Sequence, residues 1–172
     1  GIESWWSVNS SEESYGYSRK TVELIIANWR KYIFENDAVA AAQIMLAANH
    51  GGRAINITQT TAAHAMSYKI TSLYHFPHGH AVAVCLPKIW KYMIGNLDRY
   101  IDSRGMKYLE QIFNNISFAM GCNNPIEAIT LFEDMMQELK LGNPVSENLS
   151  FDILLLASSV KPVRLKNNPV EL

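Results

Sequence analysis

The stretch from Thr60 to Pro87, TTAAHAMSYKITSLYHFPHGHAVAVCLP, holds four of the chain's five histidines, His64, His75, His78 and His80, among alanines and other apolar residues. A buried imidazole must satisfy its ring nitrogens, so this clustering limits how the chain can pack around it. The spacing predicts two helices joined by a short turn. The first covers 62–74, and the second opens at Pro77, whose missing N–H costs nothing in a first helical turn. His64 projects from the body of one helix and His78 from the start of the next. Such a hairpin can bring the two rings together, as coordination of one metal ion by imidazoles requires. The two histidines match no compact zinc pattern and the stretch contains no carboxylate. The same residues therefore also read as two hydrogen-bonded helix histidines and two exposed ones.

Helical periodicity dominates the rest of the chain. The sequence predicts an all-α bundle of about seven helices, long enough at 172 residues for one good core. Trp5 and Trp6 are costly to leave in water and belong to that core. Ser10 to Ser14 reads as a polar loop, and Ser18 as the cap of a helix running to about Glu35, with Val22, Ile25, Ile26, Trp29 and Ile33 on its buried face. Asn36-Asp37 caps an alanine-rich helix, whose small side chains suggest a central place in the bundle. His50, before an expected bend at Gly51-Gly52, reads as structural. The following INITQTT is locally β-prone. The Pro87 helix ends near Gly95-Asn96, and 104–120 is amphipathic. Asn124-Pro125-Ile126-Glu127 is a strong helix start, opening a helix that buries Ile126, Ile129, Phe132, Met136 and Leu139 and is broken at Gly142 to Ser146. One further helix is expected over about 150–159, and Asn168-Pro169 has the form of another helix start.

Composition excludes several classes of partner. A formal net charge of -1 offers no electrostatic case for nucleic acid or an anionic membrane. No apolar run reaches membrane-spanning length. With no framework of paired cysteines, Cys85 and Cys122 read as reduced thiols of a cytoplasmic protein.

The segment HAMSYKITSLYHFPHG resembles the second metal-binding segment of the iron-containing (group III) alcohol dehydrogenases. In that family a histidine is followed four residues later by a second histidine and then by PHG, with the first and last histidines holding the metal. His64 and His78 fall on those two ligand positions, and Pro77 and Gly79 match as well. The likeness continues through AVAVCLP and, more weakly, over nearly the whole chain. Gly1-Ile2-Glu3 matches the residues that follow directly after the family's first histidine ligand. On that alignment an upstream Asp and His ligand, together with the nucleotide-binding domain, lie outside this chain, and the far end is expected to continue with one more helix.

The resemblance implies the C-terminal helical domain of an NAD(P)-dependent alcohol dehydrogenase or aldehyde reductase. It implies Fe(II), with Zn(II) as the other candidate, held by His64 and His78 plus the upstream ligands. It also implies a small aldehyde or alcohol substrate, dimers or larger assemblies, and no activity from this chain alone. TTAAHAMSY and WWSVNSSEES look most like a branch that reduces phosphonoacetaldehyde, for whose anionic group Lys69 and Arg53 are the local cations. Gln59, Thr60 and Thr61 precede the metal position and are candidates to bind a polar substrate group, or to cap the helix. Tyr68 stands where many members carry a histidine proposed to pass a proton. A phenol, which ionises only around pH ~10, is a poor exchanger at neutral pH. The catalytic candidates are therefore Tyr68 and His80, with His75 or direct exchange with water as other routes, and a packed aromatic as the alternative for Tyr68. Two further readings stay open: a lyase domain like that of dehydroquinate synthase, which also uses paired histidines, and a helical interaction module with structural histidines.

Overall fold

A computed structural model describes residues 1–143, 152–160 and 162–172, apart from the side chains of Ile153 and Arg164. The chain order is α1 (Ile2–Trp6), α2 (Glu12–Glu35), α3 (Ala38–Thr58), α4 (Ala62–Tyr74), α5 (His78–Gly95), a 3-10 turn (Leu97–Arg99), α6 (Met106–Ala119), α7 (Pro125–Glu138), α8 (Ile153–Ser158) and α9 (Pro162–Leu165). The expected all-α class is observed, with α2 to α7 as the long helices and α1, α8 and α9 as additional short ones. The described residues contain no strand, only an isolated bridge between Tyr100 and Val170. None of their helices is long and apolar enough to cross a membrane.

Caps set most helix boundaries. α2 starts earlier than expected: Ser11 and Ser14 form a reciprocal capping box, Glu12 and Glu13 occupy the positive first turn, and Ser18 lies buried inside the helix. The supposed loop at Ser10 to Ser14 is thus mostly helix. Asn36, in the left-handed conformation with φ 52°, ends α2, and the Asp37 carboxylate accepts the Ala40 N–H at 2.7 Å to begin α3. α3 passes through Gly51-Gly52 and Ile55, so neither the expected bend nor the β-prone segment interrupts it before Thr58. Asn124 and Asp152 cap α7 and α8 in the same way as Asp37 caps α3.

The core gathers on α1, α5, α6 and part of α7. Trp6 is fully buried and meets Trp90 and Phe113 edge-on, at centroid separations of 5.7 and 6.0 Å. Leu109, Ile112, Ile116 and Met93 complete this centre. α3 is not central. Its small face, Ala40, Ala47, Gly51 and Ala54, packs against α2, and the Thr21 hydroxyl donates to the Ala47 carbonyl at 3.3 Å. Val39, Met45 and Leu46 on α3 are exposed. Small residues did bring two helices close, but only on one side. Ile33 and Ile126, expected in the core, are also exposed, while Ala128, Ile129 and Met135 carry the buried face of α7.

Two ties close the ends of the bundle. The Arg104 guanidinium pairs with buried Asp102 at 2.6 Å and donates to the Ser7 and Ser10 carbonyls at 2.8 and 3.0 Å, fixing the segment between α1 and α2 to the start of α6. At the far end Asn168-Pro169 does not open a helix. Asn168 is buried and donates to its neighbour Val170's carbonyl at 2.7 Å, while Ile101 N–H and Glu171 N–H pair across to Pro169 and Arg99. α7 ends at Glu138, with Lys140 in the left-handed region, before the break expected at Gly142 to Ser146; residues 144–151, which hold most of that stretch and the approach to α8, lie outside the described residues.

Candidate metal centre

The junction between α3 and α4 sets the site. Gln59 has φ 58° and ψ -170°, a conformation ordinarily left to glycine, and strain of this kind costs on the order of 1–3 kcal/mol. The Thr58 hydroxyl holds it by donating to the Gln59 carbonyl at 2.8 Å. Thr61 then stands at the N-cap of α4, but its side chain makes no capping bond. It turns inward, accepts the indole N–H of Trp6 at 3.0 Å and donates to a Glu3 oxygen at 2.7 Å.

Glu3 does the capping instead, from another helix. Its Oε1 accepts the backbone N–H groups of Thr61 and His64 at 3.2 and 3.3 Å, the donors a local cap would take. Its Oε2 is hydrogen-bonded to His64 Nδ1. Burial of Glu3 opposes its ionisation, yet the His64 ring, the Thr61 hydroxyl and the His64 N–H outweigh it and hold the carboxyl below the usual carboxylate range. Glu3 was assigned no role from the sequence. The available signal was an acid on a short apolar helix next to two tryptophans, where a carboxylate survives only with partners.

At the other end of α4, His75 adopts the left-handed conformation, Phe76 is buried, and α5 opens at His78, one position later than expected, with Pro77 as its N-cap residue. This reversal brings His78 back to His64. Their ring centroids lie 5.4 Å apart with an interplanar angle of 68°. Two imidazoles bound to one ion at about 2.1 Å through nitrogen, with a near-tetrahedral angle, have centroids about 5 Å apart, so the spacing fits a shared cation. Since Nδ1 of His64 faces Glu3, Nε2 is the ring's open nitrogen. Among the described residues no group of three or more His, Cys, Asp or Glu side chains surrounds one point, so this pair is an incomplete ligand set.

The other candidates divide between this place and elsewhere. Tyr68, one turn after His64, stacks on His78 with centroids 5.6 Å apart. Gln59, Thr60 and Tyr68 line one groove of about 710 Å³ together with Asn56 and Asn167, neither anticipated from the sequence. Asn167 donates to the Thr60 carbonyl at 3.1 Å. Thr61 is fully buried behind this groove. His80 stacks on Phe76 at 4.5 Å and its Nε2 is bonded to the Gly142 carbonyl at 2.6 Å. Arg53 lies over the Tyr17 ring, and neither it nor Lys69 is among the groove's lining residues. His50 stacks on Tyr17 as well, and His75 is exposed. A mostly apolar cavity of about 210 Å³ reaches Glu3 and His64 and shares Ile55 and Thr60 with the groove.

The chain is an all-α domain in which the turn between α4 and α5 brings the His64 and His78 rings side by side. Residues 1–148 match the family described as Fe-containing alcohol dehydrogenase family, C-terminal. The chain belongs to this family, as the helical C-terminal part. Relatives include phosphonoacetaldehyde reductase of Streptomyces viridochromogenes, 32% identical over 124 residues that make up 70% of this chain and 31% of that protein. Another is aldehyde-alcohol dehydrogenase 2 of Entamoeba histolytica, 29% identical over 143 residues, 80% of this chain and 16% of that protein. The iron-containing alcohol dehydrogenase of Thermococcus thioreducens shares the fold with a TM-score of 0.77 at 23% identity, over 99% of this chain and 43% of that one. The chain thus spans less than a third of those two relatives and under half of the solved structure. With the family established, the dehydroquinate synthase reading has no observation of its own in its favour.

Proposed function

We propose that this chain supplies His64 and His78 as two ligands of a catalytic metal in an NAD(P)-dependent alcohol dehydrogenase or aldehyde reductase. The proximity of the two rings, with centroids 5.4 Å apart, carries the reading. Fe(II) suits the family, and Zn(II) suits a nitrogen- and oxygen-rich set equally well in kind. Such an ion, when bound, supplies a Lewis acid for a carbonyl oxygen, and the nicotinamide supplies the hydride. The chain's own residues orient and enclose. Tyr68 braces His78 by stacking, and Gln59 and Thr60 present polar groups along the groove that leads to that stack. The bonds of His80 and Thr61 give those two a supporting part.

The substrate is a small aldehyde or alcohol. The similarity to phosphonoacetaldehyde reductase favours that aldehyde among them. Nucleotide binding falls to residues outside this domain, so the chain alone is expected to leave NAD(P)H unoxidised. Cytoplasmic location and a dimeric or larger assembly belong to the same reading. Calorimetric titration of the chain with Zn(II) tests it. One equivalent should bind, and both His64→Ala and His78→Ala should lose most of the affinity. Binding unchanged in both variants would favour a helical interaction module with structural histidines.

A further inference from the structure

His64 can ligate through Nε2 only if its ring proton sits on Nδ1, and a neutral imidazole chooses between its two tautomers according to the partners it meets. In this fold the choice is made by a buried chain of polar groups. The indole N–H of Trp6 is a donor only, so the Thr61 oxygen accepts it at 3.0 Å and the Thr61 proton goes to Glu3 Oε1 at 2.7 Å. Oε1 also receives the N–H groups of Thr61 and His64. Three donors on one oxygen anchor the carboxylate's orientation and leave Oε2 for His64 Nδ1. An ionised carboxylate can only accept, and Glu3 is 5% exposed, so water does not compete for this position.

We propose that Glu3 is a positioning residue that sets the tautomer of His64, holding the proton on Nδ1 and keeping the Nε2 lone pair available to a cation. The proposal rests on His64 being a metal ligand. A carboxylate behind a ligating histidine raises the ring's basicity and fixes its rotation, and loss of such a partner typically weakens metal binding ~10–100-fold.

Glu3→Gln makes a sharp test, because the three donors at Oε1 require the amide oxygen there. The amide NH₂ then faces His64 Nδ1 and can only donate to it, which drives the ring proton to Nε2. The first measurement is ¹⁵N-resolved NMR of the histidine rings in the metal-free 172-residue chain, at mildly alkaline pH. Wild type should show His64 protonated on Nδ1 and Glu3→Gln should show it on Nε2. The second is Zn(II) titration of both proteins, with a loss of ~10–100-fold expected in Glu3→Gln. A wild-type proton on Nε2 overturns the proposal without any variant, even if Glu3→Gln fails to fold. Equal Zn(II) affinities in wild type and a folded Glu3→Gln overturn it as well. If wild type binds no Zn(II) at all, the ligand reading fails, while the tautomer measurement still decides what Glu3 does.

Discussion

Arg104→Met should loosen the attachment of α1, the helix that carries Glu3, Trp5 and Trp6. The guanidinium makes two bonds to Asp102, at 2.9 and 2.6 Å, two to backbone carbonyls at 2.8 and 3.0 Å, one to the Ser10 hydroxyl at 2.9 Å and one to the Tyr108 hydroxyl at 2.7 Å. Summing a charged-bond value over all six would exaggerate, because these groups act together and the acceptors regain some water when released. The better guide is the loss of one partner from a buried ion pair, ~3–5 kcal/mol. The Asp102 side chain is 1% exposed and keeps only the Arg104 backbone N–H, but the guanidinium is 27% exposed, which trims the figure to ~2–4 kcal/mol. For a chain of this length that corresponds to a fall in Tm of roughly 5–15 °C. Urea unfolding followed by tryptophan fluorescence reads it directly, since Trp5 and Trp6 sit beside the clamp. Arg104→Lys should recover only part of the loss, because one ammonium cannot span carboxylate, carbonyls and hydroxyls at once. A loss below ~1 kcal/mol for Arg104→Met would refute the argument that this clamp holds α1.

Two further outcomes follow from single residues. Burial, with a contribution from the charge of Glu3, pushes the Cys85 thiol up to about 12, while half-buried Cys122 is raised by burial and Glu127. Iodoacetamide at about pH 8 should therefore label Cys122 first and reach Cys85 only in denaturant, as mass spectrometry would show; equal rates would contradict the packing around α5. At Gln59 the positive φ predicts an inverted order of stabilities: Gln59→Gly should be more stable than Gln59→Ala by ~1 kcal/mol in urea unfolding, and an advantage for alanine would mean the junction carries no strain.

Much of the fold could be read from the sequence because its signals are local. The caps at Asp37 and Asn124 and the reversal at His75 to Pro77 each depend on a few adjacent residues, and they stand where expected or within one position. The misreadings arise where a distant partner or a competing cap prevails. Ser11 outdoes Ser18 because Ser14 answers it reciprocally, a pairing that Ser18 lacks. INITQTT has β-prone residues, but Thr58 bonds back to the Ala54 carbonyl at 3.1 Å and lies buried, so the last turn of α3 is kept by its packing. The position of α3 failed for another reason. An alanine-rich helix permits close approach on every side, and only the neighbours decide how many sides are used.

The site was legible to the extent that its chemistry is written in one segment. His64, Tyr68 and His78 lie within one hairpin: its spacing allowed the two histidines to meet, and the family resemblance pointed to the PHG turn and to Tyr68. Glu3 lies 58 residues from Thr61 in the chain, and no period or turn signal links the two. What physics demands is nonetheless simple. Once α4 begins at Thr61 without a working cap of its own, its first N–H groups need an acceptor, and a buried carboxylate on α1 needs donors. Each deficit answers the other. The histidine at the third helical position then receives the remaining carboxylate oxygen as a consequence of where the cap must sit. Helix capping and histidine orientation are in this chain one arrangement, so a variant that relocates the cap of α4, such as Thr61→Asp, would place a second carboxylate beside Glu3 and disturb the His64 ring along with the helix start.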